Sequence, residues 1–198
     1  MDVIIVGVYV DDLFLTGSNP GHIQNFKTEM MNIFYMSDLG ILSYYLGLEV
    51  KQEEGVISLN QSSYAKRILE QMGMGECNPC SIPMEPRSKL SKFDEGIPVD
   101  STLYRSVVGS LRYLVNTRPD IAYSVGIVSR YMEAPTQTHM NAIKHVLRYV
   151  KGTCNMGCVF KHGDKISRLT GFVIVILQEM WMIERVQQES YIFLGKTQ

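Results

Sequence analysis

Tyr9-Val10-Asp11-Asp12, followed at once by Leu13-Phe14-Leu15-Thr16-Gly17, decides how the rest of this chain reads. Residues Val3–Val10 are mostly apolar and β-branched, the pattern of a buried strand, and Leu13–Thr16 forms its hairpin partner. Side chains alternate faces along a strand, so two adjacent Asp address one site only where the strand turns. A tight hairpin supplies that turn. Two carboxylates at its tip suit a hard divalent cation such as Mg²⁺, which takes oxygen ligands and keeps positions open for substrate phosphates. In two-metal phosphoryl transfer such ions sit about 3.5–4 Å apart and stabilise the attacking and leaving oxygens. The same residues also suit an ordinary solvated turn, because Asp pairs populate turns for local reasons.

Outward from the hairpin, periodicity and chain breakers give the organisation. Ser18-Asn19-Pro20 offers an N-cap with proline in the first helical turn, and Ile23, Phe26, Met30, Ile33 and Phe34 then recur at helical spacing as a core stripe. Gly40 ends that segment. Residues 41–50 and 56–60 pair as a second hairpin across Lys51-Gln52-Glu53-Glu54-Gly55. Ser62 or Ser63 caps a helix running through Met74, with Ile68, Leu69 and Met72 inward. Pro79, Pro83, Pro86 and Pro98 make residues 75–100 an irregular connector and the best internal boundary.

Three helical segments follow, over 101–116, 120–133 and 136–151. Their stripes are Val107, Val108, Leu111 and Leu114; Ile121, Val125, Val128 and Met132; and Ile143, Val146, Leu147 and Val150. Short connections favour packed neighbours, so these form a small helical unit. Lys144, Arg148 and Lys151 share one face of the last helix, where they either track a phosphate backbone or keep that face wet.

The 198 residues suffice for a real core, and the net charge of −1 offers no global attraction to nucleic acid. The charge is unevenly spread. Residues 1–60 hold two Lys against eight Asp or Glu, whereas residues 130–170 hold seven Lys or Arg against Glu133 and Asp164. Met1-Asp2 lacks the basic start of a signal peptide, and no run approaches the roughly 20 apolar residues of a membrane span. A soluble, intracellular chain is expected. Cys77-x-x-Cys80 and Cys154-x-x-x-Cys158 fall within zinc spacing, but prolines and a long separation favour free reduced thiols over a zinc site.

Taken together, ordered blocks along the chain resemble the reverse transcriptase of Ty1/copia-type retrotransposons. Tyr9-Val10-Asp11-Asp12-Leu13 is similar to the polymerase motif that carries catalytic carboxylates. Phe34-Tyr35-Met36-Ser37-Asp38-Leu39-Gly40 and Tyr44-Tyr45-Leu46-Gly47-Leu48-Glu49-Val50 resemble the two blocks after it. Tyr64-Ala65-Lys66-Arg67-Ile68-Leu69 and Tyr104–Leu114 fit the next helices. Thr117-Arg118-Pro119-Asp120-Ile121 and His145–Thr153 complete a series running from residue 3 to about residue 172.

The resemblance implies an α+β fold. Residues 1–74 would be a partial palm of antiparallel hairpins plus a helix, 75–100 a connector, 101–155 a helical thumb and connection, and 156–198 a degenerate or disordered start of a ribonuclease H domain. It implies Asp11 and Asp12 as catalytic, metal-holding residues for Mg²⁺ or Mn²⁺, with RNA/DNA primer–template and dNTP as partners and no membrane or zinc. Leu46, Gly47 and Leu48 would be primer-grip residues, placing the growing 3′ end; the alternative for Gly47 is a bulge in a covering hairpin. Lys144, Arg148 and Lys151 are the nucleic-acid-binding candidates.

Two departures qualify this. The family carries fingers, the first half of the palm and a further metal-binding Asp ahead of the YVDD hairpin, while this chain starts just before that strand. The expectation is a fragment inactive by itself, the alternative being a non-catalytic nucleic-acid-binding remnant that uses the basic helices. Past Leu169-Thr170-Gly171-Phe172, where the family's ribonuclease H carboxylates belong, Val173–Gln187 reads differently. One back-translation read in a shifted frame restores an Asp-rich string, and the family frame resumes near Tyr191–Gly195. Compensating indels or a stitched gene model would produce this, and order is expected to decline past residue 172.

Overall fold

The computed structural model describes residues 2–86, 90–93 and 95–161. The expectations for Leu169–Phe172, Val173–Gln187 and Tyr191–Gly195 lie outside them. Strands β1 (Ile4–Tyr9) and β2 (Asp12–Gly17) pair antiparallel from Ile4↔Gly17 to Tyr9↔Asp12, leaving Val10 and Asp11 as a two-residue loop. Helix α1 (Pro20–Ile33) follows, capped as expected: the Asn19 carboxamide oxygen accepts from the Gly21 amide at 2.9 Å, with Pro20 in the first turn.

Burial around this hairpin differs from expectation. Val3–Val10 is not a buried strand, and Val8 is 67 % exposed. Helix α1 packs along β2, with Ile23, Phe26 and Met30 half-buried and Ile33 and Phe34 exposed. A two-stranded ribbon and one helix have too little opposing surface to bury both sheet faces. The helix also stops before Gly40, because Phe34 turns to extended backbone at φ −121°, ψ 149°.

The second sheet runs in the order β3 (Tyr44–Tyr45), β4 (Leu48–Glu53), β5 (Val56–Asn60), β6 (Gly157–Lys161), each neighbour antiparallel. Its β4–β5 turn is only Glu54–Gly55, tighter than the five-residue charged turn expected, because Gly55 adopts φ 69°. The last strand arrives after all the helices, so residues 157–161 complete the hairpin sheet.

Helix α2 (Ser62–Gln71) starts one residue after Gln61 rather than at a serine cap; the Asn60 carboxamide oxygen accepts from the Ser62 amide at 3.2 Å and from its hydroxyl at 3.0 Å. It ends short of Met74 because Gly73 takes φ 63°. Helix α3 (Ser101–Leu114) is capped by Asp100, which accepts from the Thr102 amide at 2.8 Å. The segment expected over 120–133 is broken into a 3-10 turn at Pro119–Ile121, α4 (Ala122–Val128) and another 3-10 turn at Ser129–Tyr131. Helix α5 (Gln137–Gly152) opens on Thr136, whose backbone N–H donates to His139 Nδ1 at 3.0 Å. The other ring nitrogen of His139 lies 3.0 Å from the Ser91 carbonyl, which fixes the ring between α5 and the connector.

These helices hold the core. Ile68, Leu69, Tyr104, Val108, Leu111, Leu114, Ile121, Val125, Val128, Ile143, Val146, Leu147 and Val150 are all buried, and every striped residue named from sequence between residues 62 and 151 belongs to this cluster or packs on it, whereas the α1 stripe does not. Fully burying such a side chain contributes about 1.5–3 kcal/mol, so the fold's stability resides here rather than in the open hairpin. The connector has no helix or named strand among its described residues; it is pinned by Val99 N–H to the Pro135 carbonyl at 3.0 Å and Gln137 N–H to the Ile97 carbonyl at 2.8 Å. No helix among the described residues is long and apolar enough to cross a membrane.

Candidate functional site

Asp11 occupies the second loop position of the β1–β2 hairpin and Asp12 is the first residue of β2, so the turn itself brings the adjacent carboxylates to one end of the ribbon. Both are exposed. Val10 alone of the loop pair has positive φ, at 55°, the φ pattern of a type II′ hairpin turn. A β-branched residue there costs on the order of 1–2 kcal/mol, strain held at the residue beside the carboxylates. Among the described residues no group of three or more His, Cys, Asp or Glu gathers as a metal site.

The hairpin is tied to the second sheet through an aromatic contact. The Phe14 ring lies over its cross-strand partner Gly7, where a Cβ would overlap it. From there it meets the edge of Tyr45 at a centroid distance of 5.3 Å and 71°. Tyr45 pairs with Leu48, so the next two residues, Leu46 and Gly47, form the β3–β4 turn. Both have positive φ, 49° and 79°, as a type I′ turn requires. Gly47 is therefore a turn glycine and not a bulge. Leu48 opens β4 and is half-buried.

Sequence reasoning missed the group that holds this turn. Tyr113 on α3 donates its O–H to the Leu46 carbonyl, and its oxygen would lie 3.2 Å from a Cβ at Gly47. Its ring meets Tyr64 of α2 edge-on, centroids 5.0 Å apart, and the Arg67 guanidinium lies 5.1 Å from the centre of the Tyr64 ring. Burial first, then the phenols of Tyr64, Tyr44 and Tyr9, push the Tyr113 hydroxyl above its ordinary range. The signal was available: Tyr113 falls off the 104–107–108–111–114 core stripe of its helix, where an aromatic has no packing reason to be.

Of the three basic candidates only Lys144 is exposed. Arg148 Nε donates to the Asn78 carbonyl at 2.8 Å, and Lys151 Nζ donates to the Gly75 carbonyl. The connector lies against that face, and its carbonyls, lacking ladder partners, take these donors. The four cysteines are free thiols; Cys80 Sγ lies 3.5 Å from the His145 carbonyl and Cys158 Sγ 3.5 Å from that of Thr117.

A second polar cluster is structural in geometry. Arg118, 1 % exposed, forks onto Asp120 at 2.9 and 2.7 Å, and reaches the Thr153 carbonyl at 2.8 Å and hydroxyl at 2.7 Å. Tyr149 donates to the same Asp120 carboxylate at 2.9 Å. Burial works to raise the Asp120 carboxyl, but the bonds from Arg118 and Tyr149 outweigh it and hold the group below the usual carboxylate range. This network ties the α3–α4 link to the end of α5.

Residues 1–86 match the family model described as reverse transcriptase (RNA-dependent DNA polymerase). The chain is 38 % identical over 165 residues to a retrovirus-related Pol polyprotein from transposon RE1 of Arabidopsis thaliana, covering 83 % of this chain and 11 % of that protein. Against the Pol polyprotein from transposon TNT 1-94 of Nicotiana tabacum it is 38 % identical over 174 residues, covering 83 % of this chain and 13 % of the relative. An uncharacterized mitochondrial protein of Arabidopsis thaliana is 39 % identical over 160 residues, 81 % of this chain and 66 % of that protein. The chain thus spans only a small part of the polyproteins it matches. No solved structure matches it.

Proposed function

Because the chain belongs to the reverse transcriptase family of copia-type retrotransposon Pol polyproteins, we propose that its described residues supply the carboxylate hairpin and the primer-positioning turn of an RNA-directed DNA polymerase. In this reading residues 1–74 are palm, with Leu46, Gly47 and Leu48 as the primer grip, and 101–155 are thumb and connection. One observation carries it: the Phe14–Tyr45 contact, which sets the Asp11–Asp12 hairpin beside the left-handed Leu46–Gly47 turn. A polymerase needs those two features together, one to hold metal and the other to hold the primer end. An unrelated hairpin turn has no need of the second.

The donor set fits Mg²⁺ or Mn²⁺. Two carboxylates at an exposed tip leave coordination positions for phosphate oxygens and water, as Mg²⁺ prefers. Bound there, such ions neutralise charge on the phosphoryl oxygens during nucleotidyl transfer. Asp11 and Asp12 would hold the ions, and the Leu46–Gly47 backbone would receive primer. Template, primer and dNTP are the partners.

The 198 residues by themselves do not extend a primer in this reading. The hairpin supplies two carboxylates, whereas two-metal catalysis rests on a full arrangement of ligands and positioned substrates. A purely non-catalytic role for the basic helix has less support, since Arg148 and Lys151 donate to connector carbonyls.

Fe²⁺ placed in the site, with added hydrogen peroxide as oxidant and ascorbate to recycle Fe³⁺, generates hydroxyl radicals that cut the nearby backbone. Cleavage is expected at residues 9–13, suppressed by excess Mg²⁺ and absent from the double variant Asp11→Asn, Asp12→Asn. Cleavage that ignores both substitutions would overturn the metal assignment. Primer extension with Mg²⁺ or Mn²⁺ is expected to stay at background, and incorporation lost on Asp11→Asn would overturn the inactivity.

A further inference from the structure

The turn that receives the primer in the proposed reading is exposed at the end of a two-residue strand, and both its residues sit in left-handed backbone. Such a tip has freedom of its own unless something outside the hairpin fixes it. The Tyr113 hydroxyl, 67 residues away in sequence, does so by donating to the Leu46 carbonyl. Its helix is among the most rigidly seated elements: Val108, Leu111 and Leu114, on either side of Tyr113, are at most 1 % exposed. Tyr64 stands edge-on against the ring, and Arg67 lies beyond Tyr64. The phenol is thus held against a second helix while its oxygen reaches the turn.

We propose that Tyr113 is a positioning residue: from α3 it fixes the Leu46–Gly47 turn, and through that backbone the 3′ end of a bound primer, relative to the Asp11–Asp12 hairpin. This rests on the polymerase reading above. An ordinary phenol is protonated at neutral pH, so the hold is present there, and burial with the surrounding phenols shifts this hydroxyl further upward. The device couples the helical unit to the hairpin sheet by one hydrogen bond, so that displacement of α3 would move the primer seat with it. A tyrosine serves where phenylalanine would not, because the ring packs equally well and only the hydroxyl reaches the carbonyl.

Two measurements on the full 198-residue chain test this with Tyr113→Phe, and with Tyr123→Phe as a control on an exposed phenol. In free protein, amide exchange at residues 46–48 is expected to rise about fivefold in Tyr113→Phe, the shift set by one lost hydrogen bond, with exchange in α3 and the thermal midpoint unchanged. With primer–template at low salt, a photoreactive 4-thiothymidine at the primer 3′ end is expected to crosslink within residues 44–49 in the parent chain. In Tyr113→Phe that yield falls about fivefold while overall affinity, read by anisotropy, is retained. Unchanged exchange at the turn overturns the inference, and so does raised exchange with unaltered crosslinking. General unfolding of Tyr113→Phe overturns it too, since the hydroxyl would then be a structural requirement. Failure of the parent chain to bind primer–template overturns the polymerase reading and takes this inference with it, whereas binding without the crosslink difference overturns the inference only.

Discussion

Val10 and Arg118 illustrate opposite uses of a single residue. Val10 is β-branched in left-handed backbone, and nothing buries it: at 84 % exposure it gains no packing in return. Val10→Gly removes that strain and is expected to stabilise the hairpin by about 1 kcal/mol, read as slower amide exchange at Tyr9 and Asp12, the hydrogen-bonded pair that closes the loop. Arg118 is the reverse, a buried charge fully engaged. Asp120→Asn weakens the fork and is expected to cost about 2 kcal/mol in urea unfolding, less than for a fully buried pair because Asp120 is partly exposed. Its pH signature follows from sign. The folded carboxyl lies below its unfolded value, so the stabilisation is present above the unfolded value and disappears as pH falls through the folded one. Stability of the parent chain should therefore drop below about pH 4 more steeply than that of Asp120→Asn. The carboxylates of Asp11 and Asp12 were evident in the sequence because an adjacent acidic pair closing an apolar run is unusual. The Arg118–Asp120–Tyr149–Thr153 network was not, because its members meet only when α5 returns past the α3–α4 link.

Among elements, α3 and α5 matched their periodicity closely, since each buries one continuous stripe against its neighbours. The 120–133 segment did not, because Pro119 and the residues after Val128 favour short 3-10 turns over a continued helix. Helix α5 also shows why a charge pattern does not by itself make an interface. The connector occupies the face carrying Arg148 and Lys151, leaving Lys144 exposed. Lys144→Ala should thus reduce the slope of log affinity against log salt for primer–template by no more than about 0.9, the contribution of one phosphate contact. A triple substitution at 144, 148 and 151 should lose more thermal stability than salt dependence. The Leu46–Gly47 turn was legible as a glycine that must matter; that it is a two-residue turn rather than a bulge depended on the register of β3 with β4.

For the whole molecule, packing is uneven. The helical unit carries the buried core, whereas the β1–β2 ribbon leaves Val3, Ile5, Val6, Val8 and Tyr9 at 38–67 % exposure. Exposed apolar side chains on both faces of a ribbon bind hydrophobic probes and promote association. The chain is expected to enhance anilinonaphthalene sulfonate fluorescence and to self-associate with rising concentration in light scattering. Val6→Thr with Val8→Thr should reduce both while leaving the thermal midpoint of the helical core unchanged. Retention of both signals in that variant would place the exposed surface elsewhere.

The sequence by itself determined most elements and the family: the β1–β2 hairpin with its adjacent carboxylates, the Asn19 cap of α1, the core stripes of the later helices and the family blocks were written in local pattern. That sufficed because capping, alternation and helical period act between residues close along the chain. Only the tertiary structure decided which apolar stripes were covered, that β6 completes the hairpin sheet, which cations the connector occupies, and that Tyr113 reaches the Leu46 carbonyl. Each of those depends on contacts between distant segments, whose geometry is fixed by how whole elements pack.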